Sequence, residues 1–109
     1  MLLEELQKLV AAGESENLEF KKTTGQRTEA AKTVCALLNG LGGFLLFGVS
    51  DRGEITGQQV TAKTLEDISG NDKSVIVIRV SGKMGTYCYD ERPYIRHGPT
   101  TQIMPRSEY

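Results

Sequence analysis

The stretch that decides the fold of this chain is NGLGGFLLFGVSD, residues 39–51. Its centre, residues 44–49, is an apolar run, which is typical of a strand covered on both faces. Asn39-Gly40 predicts the end of a preceding helix. Gly42-Gly43 predicts a tight helix-to-strand turn, because glycine adopts backbone conformations that other residues avoid. Residues 50–53 have the composition of a turn, so a short return strand should follow them.

A second informative stretch is LEFK, residues 18–21. Leu18 and Phe20 alternate with Glu19 and Lys21, and this period of two predicts a half-buried strand with the acid and the base on its other face. Upstream, leucines recur at helical spacing between charged residues, which predicts a helix over residues 2–12.

Further elements follow along the chain. Thr28 is a candidate N-cap for a helix whose predicted inward residues are Ala31, Val34, Cys35 and Leu38. Residues 74–80 are rich in Val and Ile and predict a strand. Extended segments on either side of Asp90-Glu91 predict a hairpin, with Pro93 at a strand start or edge. We therefore predict an α+β fold, in which helices pack on a mixed and mostly antiparallel sheet.

Length and composition describe one small domain. The chain has 109 residues, 39% hydrophobic and 25% charged, which suffices for one core and is ordinary for globular proteins. No apolar run approaches the ~18 residues of a membrane-spanning helix, and the N-terminus lacks the layout of a secretory signal. Cys35 and Cys88 predict neither a zinc site nor a disulfide framework, so we expect a cytoplasmic protein without a membrane partner.

The charge is nearly balanced overall and uneven along the chain. The net charge is −1. Residues 1–72 contain 7 basic and 11 acidic residues, giving −4, and residues 73–109 contain 6 basic and 3 acidic residues, giving +3. This C-terminal excess is too modest to identify a nucleic-acid-binding protein by itself.

Taken in order, several short motifs resemble those of the Schlafen AlbA-type domain family. They are Glu14-Ser15, Glu19-Phe20-Lys21, Ala36, Asn39, Gly42-Gly43, Gly48-Val49 to Asp51-Arg52-Gly53, and Arg96-His97-Gly98. The resemblance covers about residues 14–101 and implies an Alba/Schlafen-like fold. We expect a single domain over residues 1–109, the N-terminal part of a longer protein.

One part of the pattern is shorter than in such relatives. Thr64 is a candidate cap for a helix, but residues 69–72 stop it after about one turn, and so short a helix is marginal. Either the chain has a real deletion here, or the natural protein has further residues between about Gly70 and Asp72. We favour the second.

The resemblance also implies a function, because the family is linked to DNA binding by regulators and to RNA cleavage. We expect a nucleic-acid-binding domain, directed to DNA, of a bacterial-type transcriptional regulator, and not an enzyme. Two alternatives stay open. One is a divalent-metal-dependent ribonuclease, and the other is a protein-interaction or dimerisation domain that forms a homo-oligomer.

Three carboxylates are the candidate catalytic and metal-binding residues. The resemblance assigns Glu14, Glu19 and an aspartate after the apolar strand, here Asp51, to a Mg²⁺ or Mn²⁺ site. Hard cations prefer carboxylate oxygens and can activate water against a phosphate. The family often has two aspartates where this chain has Ser50-Asp51. If the first of these aspartates is the metal ligand, Ser50 removes it from this chain. The alternative is that these residues are ordinary solvated or ion-paired acids, and we rank it ahead of the metal site.

Several basic residues are candidate phosphate contacts, since nucleic-acid backbones attract Lys and Arg. They are Lys21, Lys22, Arg27, Lys32 and, if the terminal hairpin packs nearby, Arg96. Ordinary surface charge is the alternative. The tyrosines of the hairpin region could stack on bases, although aromatic residues there more often cover a core: Tyr87, Tyr89 and Tyr94. We assign no proton-transfer role to His97.

The glycines do not form a nucleotide site. Neither Gly43 nor Gly48 is followed by the Lys and Ser/Thr of a P-loop. Gly40-x-Gly42 lacks the third glycine of the dinucleotide motif and leads into a strand, not a helix. The description of some relatives as divergent AAA-type ATPases therefore has no support in these residues.

Overall fold

The computed structural model describes residues 1–59 and 73–106. Within these ranges the helices are α1 (Leu3–Ala11) and α2 (Arg27–Asn39). The strands in chain order are β1 (Leu18–Lys21), β2 (Gly42–Phe47), β3 (Gln58–Gln59), β4 (Lys73–Ser74), β5 (Ile76–Ser81), β6 (Cys88–Tyr89), β7 (Arg92–His97) and β8 (Thr100–Ile103). Neither described helix has the length and apolar composition needed to cross a membrane.

The described strands form three small sheets. In the first, β2 is central, with β1 parallel to it on one side and β5 antiparallel on the other. The second is the antiparallel pair of β3 and β4, and the third is the antiparallel sheet of β6, β7 and β8. The α+β class and the mixed, mostly antiparallel pairing are as predicted.

Helix α1 covers one face of the first sheet. Its residues Leu6 and Val10 pack with Leu18 and Phe20 of β1 and with Leu46 of β2. Both β1 residues are fully buried. The alternation predicted for LEFK is therefore confirmed, because its two apolar side chains share the face that α1 covers. The prediction of a half-buried strand is wrong, because Glu19 on the other face is buried as well.

Helix α2 covers the opposite face of the same sheet and also contacts the third sheet. Ala30 packs with Leu45 and Phe47 of β2, so both faces of β2 are covered, as predicted. Further along α2, Cys35 lies in a separate buried cluster with Tyr94 of β7. The layers are thus α1, the first sheet, α2 and the third sheet.

The start and the buried surface of α2 differ from the prediction. The helix begins at Arg27, and Gln26 at the N-cap makes no side-chain capping hydrogen bond, so the predicted Thr28 cap is wrong. Because α2 lies between two sheets, its buried residues extend around the helix: Ala30, Thr33, Cys35, Ala36, Leu37 and Asn39. Of the four predicted inward residues only Cys35 is fully buried, and the others are half-buried: Ala31, Val34 and Leu38.

The turn from α2 into β2 requires its two glycines. Gly42 and Gly43 have φ of 84° and 148°. A Cβ on Gly43 would lie 2.1 Å from the carbonyl oxygen of Asn17, and a Cβ on Gly42 would lie 2.3 Å from that of Val80. The predicted tight turn is confirmed, and it places β2 directly beside the segment that leads into β1.

The C-terminal hairpin is also confirmed. Asp90 and Glu91 have φ of 52° and 66°, which is typical of a two-residue hairpin turn. Pro93 lies near the start of β7 and pairs with Cys88 in register.

Other strand predictions are confirmed only in part or lie elsewhere. The strand predicted over residues 74–80 is divided, because β4 ends at Ser74 and β5 begins at Ile76. The return strand expected after residues 50–53 is a single bridge between Val49 and Ile55. The predictions at Thr64 and residues 70–72 lie outside the described residues.

Candidate functional site

The centre of the candidate site is the carboxylate of Glu19. Since Leu18 and Phe20 face α1, the side chains of Glu19 and Lys21 project from the opposite face of β1. Glu19 is 8% exposed. Its Oε2 accepts a hydrogen bond from Lys21 Nζ at 2.5 Å, and its Oε1 accepts one from Arg96 Nη1 at 2.7 Å. Both carboxylate oxygens are therefore bound to cations of the chain itself.

Arg96 connects β7 to the segment before β1. Besides Glu19, its guanidinium donates to the hydroxyl of Thr101 and to the carbonyl oxygens of Ser15, Glu16 and Leu18. An Arg side chain has five N–H donors, and these contacts use all of them. Arg96 is 5% exposed, so no N–H remains for a phosphate, and its position suits a residue that holds Glu19 in place.

Two threonines extend this network to α2. Thr101 Oγ1, which accepts from Arg96, lies 3.0 Å from Thr33 Oγ1. Thr33 is 2% exposed. Sequence reasoning missed both residues, because neither a Thr in a helix, as at Thr33, nor a Thr in a short strand, as at Thr101, indicates which polar partner lies opposite it.

Glu14 lies beside β1, in the loop that precedes this strand. Its Oε1 accepts the backbone N–H of Phe20 at 2.8 Å, which occupies a donor on the outer edge of β1. Burial raises the pKa of the Glu14 carboxyl, and the charges of Glu19 and Asp51 raise it further. The hydrogen bond from Phe20 and the charge of Lys21 lower this pKa. The charges of the other two predicted carboxylates thus act on Glu14.

The turn after β2 explains the roles of Ser50 and Asp51. Ser50 is buried, and its Oγ accepts the backbone N–H of Glu54 at 3.1 Å. Its backbone N–H donates to the carbonyl oxygen of Glu54 at 2.9 Å. Asp51 is exposed at the tip of this turn. Ser50 therefore shapes the turn, and of the pair Ser50-Asp51 only Asp51 has a carboxylate.

A hard divalent cation does not fit these donors as they are arranged. Mg²⁺ needs carboxylate oxygens that are free to coordinate it, whereas the oxygens of Glu19 bind Lys21 and Arg96, and Glu14 accepts a backbone N–H. In residues 1–59 and 73–106, no group of three or more His, Cys, Asp or Glu side chains could hold a metal ion.

The predicted phosphate contacts fall into different environments. Lys22 and Arg27 are exposed, and neither forms an ion pair with any described residue. The backbone N–H of Lys22 donates to Gln26 Oε1 at 3.2 Å, which closes the loop between β1 and α2. Lys32 is more restricted, since it lies 3.5 Å from a Glu29 carboxylate oxygen and 5.6 Å from the ring centre of Tyr94.

The hairpin tyrosines differ in exposure, and only Tyr87 has a ring that is largely accessible. It is 51% exposed, while Tyr94 is 8% exposed and Tyr89 is half-buried against the α2 cluster. His97 is exposed at the β7–β8 turn.

Asn39, which the sequence indicated as a helix end and as part of the family pattern, attaches the β6–β7 hairpin to α2. Its Nδ2 donates to the carbonyl oxygens of Tyr87 and Tyr94, both at 2.9 Å. Its Oδ1 accepts the N–H of Tyr87 at 2.6 Å.

Comparison with protein families gives one finding. The family model described as Schlafen, AlbA_2 matches residues 14–77, more than half of the chain. The matched range contains Glu14, Glu19, Lys21 and Asp51. Comparisons with curated proteins and with solved structures gave no significant match.

Proposed function

Since the chain belongs to the Schlafen AlbA_2 family, we propose that it is a nucleic-acid-binding domain that contacts the sugar-phosphate backbone of duplex DNA through Lys22 and Arg27. The proposal includes a cytoplasmic location and a role in a transcriptional regulator. The observation that carries it is the exposure of these two cations on either side of one closed loop, without an acidic partner among the described residues.

The charges of the site support binding more than metal-assisted cleavage. Glu19, the most buried acid of the site, is paired with two cations of the chain, Lys21 and Arg96. The charge of Glu19 therefore adds little to the repulsion of a phosphate that approaches Lys22 and Arg27. Each phosphate that a Lys or Arg neutralises releases condensed counterions, which makes affinity depend on salt.

The test measures the affinity of the whole chain for a labelled DNA duplex and a labelled single-stranded RNA over a salt series. For Lys22→Ala/Arg27→Ala, we expect weaker binding, and the slope of log K against log salt should fall by about 1.8 on duplex DNA, because two phosphate contacts are lost. Tighter binding of the duplex than of the RNA would support the DNA preference.

The matched control is Lys8→Ala/Arg79→Ala, which changes the net charge equally at two other exposed positions, on α1 and β5. It should leave the slope nearly unchanged. Equal effects of the two double variants, or no salt-dependent binding by the wild type, would refute the proposal. Mn²⁺-dependent RNA cleavage that is lost in both Glu14→Gln and Glu19→Gln would replace it with the nuclease alternative.

A further inference from the structure

Lys21 is a recessed cation with unused donors. Its side chain is 14% exposed. An ammonium has three N–H donors, and among the described residues Glu19 is the only hydrogen-bond partner of Nζ. Lys21 directly precedes the exposed Lys22, so it lies beside the surface proposed to bind nucleic acid.

Glu19 cannot move freely, because Arg96 holds its other oxygen. The guanidinium of Arg96 is itself fixed by Thr101 and three backbone carbonyl groups. Arg96, Glu19 and Lys21 therefore form a chain of contacts in which the buried residue orients the partly exposed one. An ordered Lys loses less side-chain entropy on binding a phosphate than a mobile one.

We propose that Glu19 is a positioning residue, which holds the Lys21 ammonium so that it binds a nucleic-acid phosphate without a divalent metal. The inference rests on the proposed function. It differs from a metal-ligand role, for which the oxygens of Glu19 would have to leave Lys21 and Arg96. It also differs from a simple electrostatic role, in which the Glu19 charge repels phosphate.

The sign of the effect of Glu19→Gln separates these roles. The substitution keeps the size of the side chain and makes the protein less negative, so simple electrostatics predicts tighter binding of a polyanion. If Glu19 positions Lys21, binding becomes weaker, by about three- to tenfold at about 0.1 M salt, as expected for one lost phosphate contact. The matched control is Glu16→Gln, at an exposed acid nearby whose side chain makes no hydrogen bond to the described residues.

Lys21→Met keeps the test independent of whether Glu19→Gln folds, because it leaves the Glu19–Arg96 pair intact. We expect it to weaken binding as Glu19→Gln does, while Glu16→Gln binds equally or more tightly. The double variant of Glu19 and Lys21 should bind no more weakly than Lys21→Met alone. Wild-type affinity should be the same in EDTA and in Mn²⁺.

A spectroscopic readout tests the positioning step itself. In a ¹H–¹⁵N NMR spectrum of lysine ammonium groups, the Lys21 signal should be sharper than that of Lys22 and should broaden in Glu19→Gln. Any one of three results would overturn the inference. They are a Lys21 signal no sharper than that of Lys22, unchanged affinity in Lys21→Met, and tighter binding by Glu19→Gln. None of these three results would affect the proposed function, whereas absence of any nucleic-acid binding by the wild type would overturn both.

Discussion

The strongest stability prediction concerns Arg96→Met, which removes a buried guanidinium and keeps much of the apolar volume. The substitution leaves Glu19 without its partner at 2.7 Å and the carbonyl oxygens of Ser15 and Leu18 without their Arg96 donors. Breaking a buried ion pair from one side costs about 3–5 kcal/mol. Since a domain of this size is stable by about 5–15 kcal/mol, the variant should lose about a fifth or more of its free energy of unfolding.

Urea denaturation followed by circular dichroism measures this loss, since the chain has no Trp to report by fluorescence. With an m-value of roughly 1.5 kcal/mol/M, the midpoint should fall by roughly 2–3 M. The control is Arg52→Ala, because Arg52 also pairs with a Glu but its side chain is 86% exposed. Such a surface pair should contribute no more than about 0.5 kcal/mol.

A double-mutant cycle identifies the cause of the loss. In a Glu19→Gln background no buried carboxylate oxygen loses a cationic partner when Arg96 is replaced. The cost of Arg96→Met should therefore be smaller there than in the wild type, by more than about 1 kcal/mol. If Arg96→Met costs less than about 1 kcal/mol in the wild type, or equally in both backgrounds, the reasoning from the buried pair is wrong.

Two further predictions concern the turn into β2 and the edge of β1. Gly43→Ala should destabilise the fold by more than about 2 kcal/mol, because of both its φ and the clash with Asn17. The control is Gly98→Ala, which has a φ of 54° and open space around the added Cβ and should cost only about 1 kcal/mol. Equal melting temperatures of the two variants would contradict the clash at Gly43. The raised pKa of Glu14 means that its ionised form destabilises the folded state above that pKa, and that this cost disappears as pH falls below the unfolded-state value. The urea midpoint of Glu14→Gln should therefore be higher than that of the wild type at pH 7, and the two midpoints should become equal at about pH 4. A difference between the midpoints that does not change with pH would show that ionised Glu14 is not its cause.

The sequence predicted the parts of the fold where burial follows a regular period. Leu18 and Phe20 alternate because one face of β1 meets α1, and residues 44–47 are all apolar because β2 is covered on both sides. The tight turn at Gly42-Gly43 was predictable for the same kind of reason, since only glycine fits there. Such signals are local, so one sequence carries them without an alignment.

The sequence did not predict features that depend on a second partner. A helix with one packed face shows one apolar stripe, but α2 contacts both the first and the third sheet. Thr33 and Asn39 are buried against the third sheet. The Thr28 cap failed because a capping residue is recognised only by type, and the chain starts the helix at Arg27 instead.

In the candidate site, too, the sequence did not show a contact between residues far apart in the chain. The order Glu14, Glu19, Asp51 indicated a group of acids, and the charges of Glu19 and Asp51 do raise the pKa of Glu14. What the order could not show is that Arg96, 77 residues away from Glu19, occupies one of its oxygens. Charged residues are usually exposed, so a buried Arg has no distinctive local pattern.

Arg96 and Thr101 lie beyond the matched family range of residues 14–77. Strand β1, the loop before it and the turn after β2 supply the acids and Lys21, but the β7–β8 hairpin supplies the cation that fixes Glu19. Without that hairpin, Glu19 would keep Lys21 as its only cation among the described residues, and both side chains would lose their fixed geometry. The docking of the hairpin on α2 through Asn39 and Thr33, and on β1 through Arg96, is therefore the step that converts neighbouring charges into an ordered site.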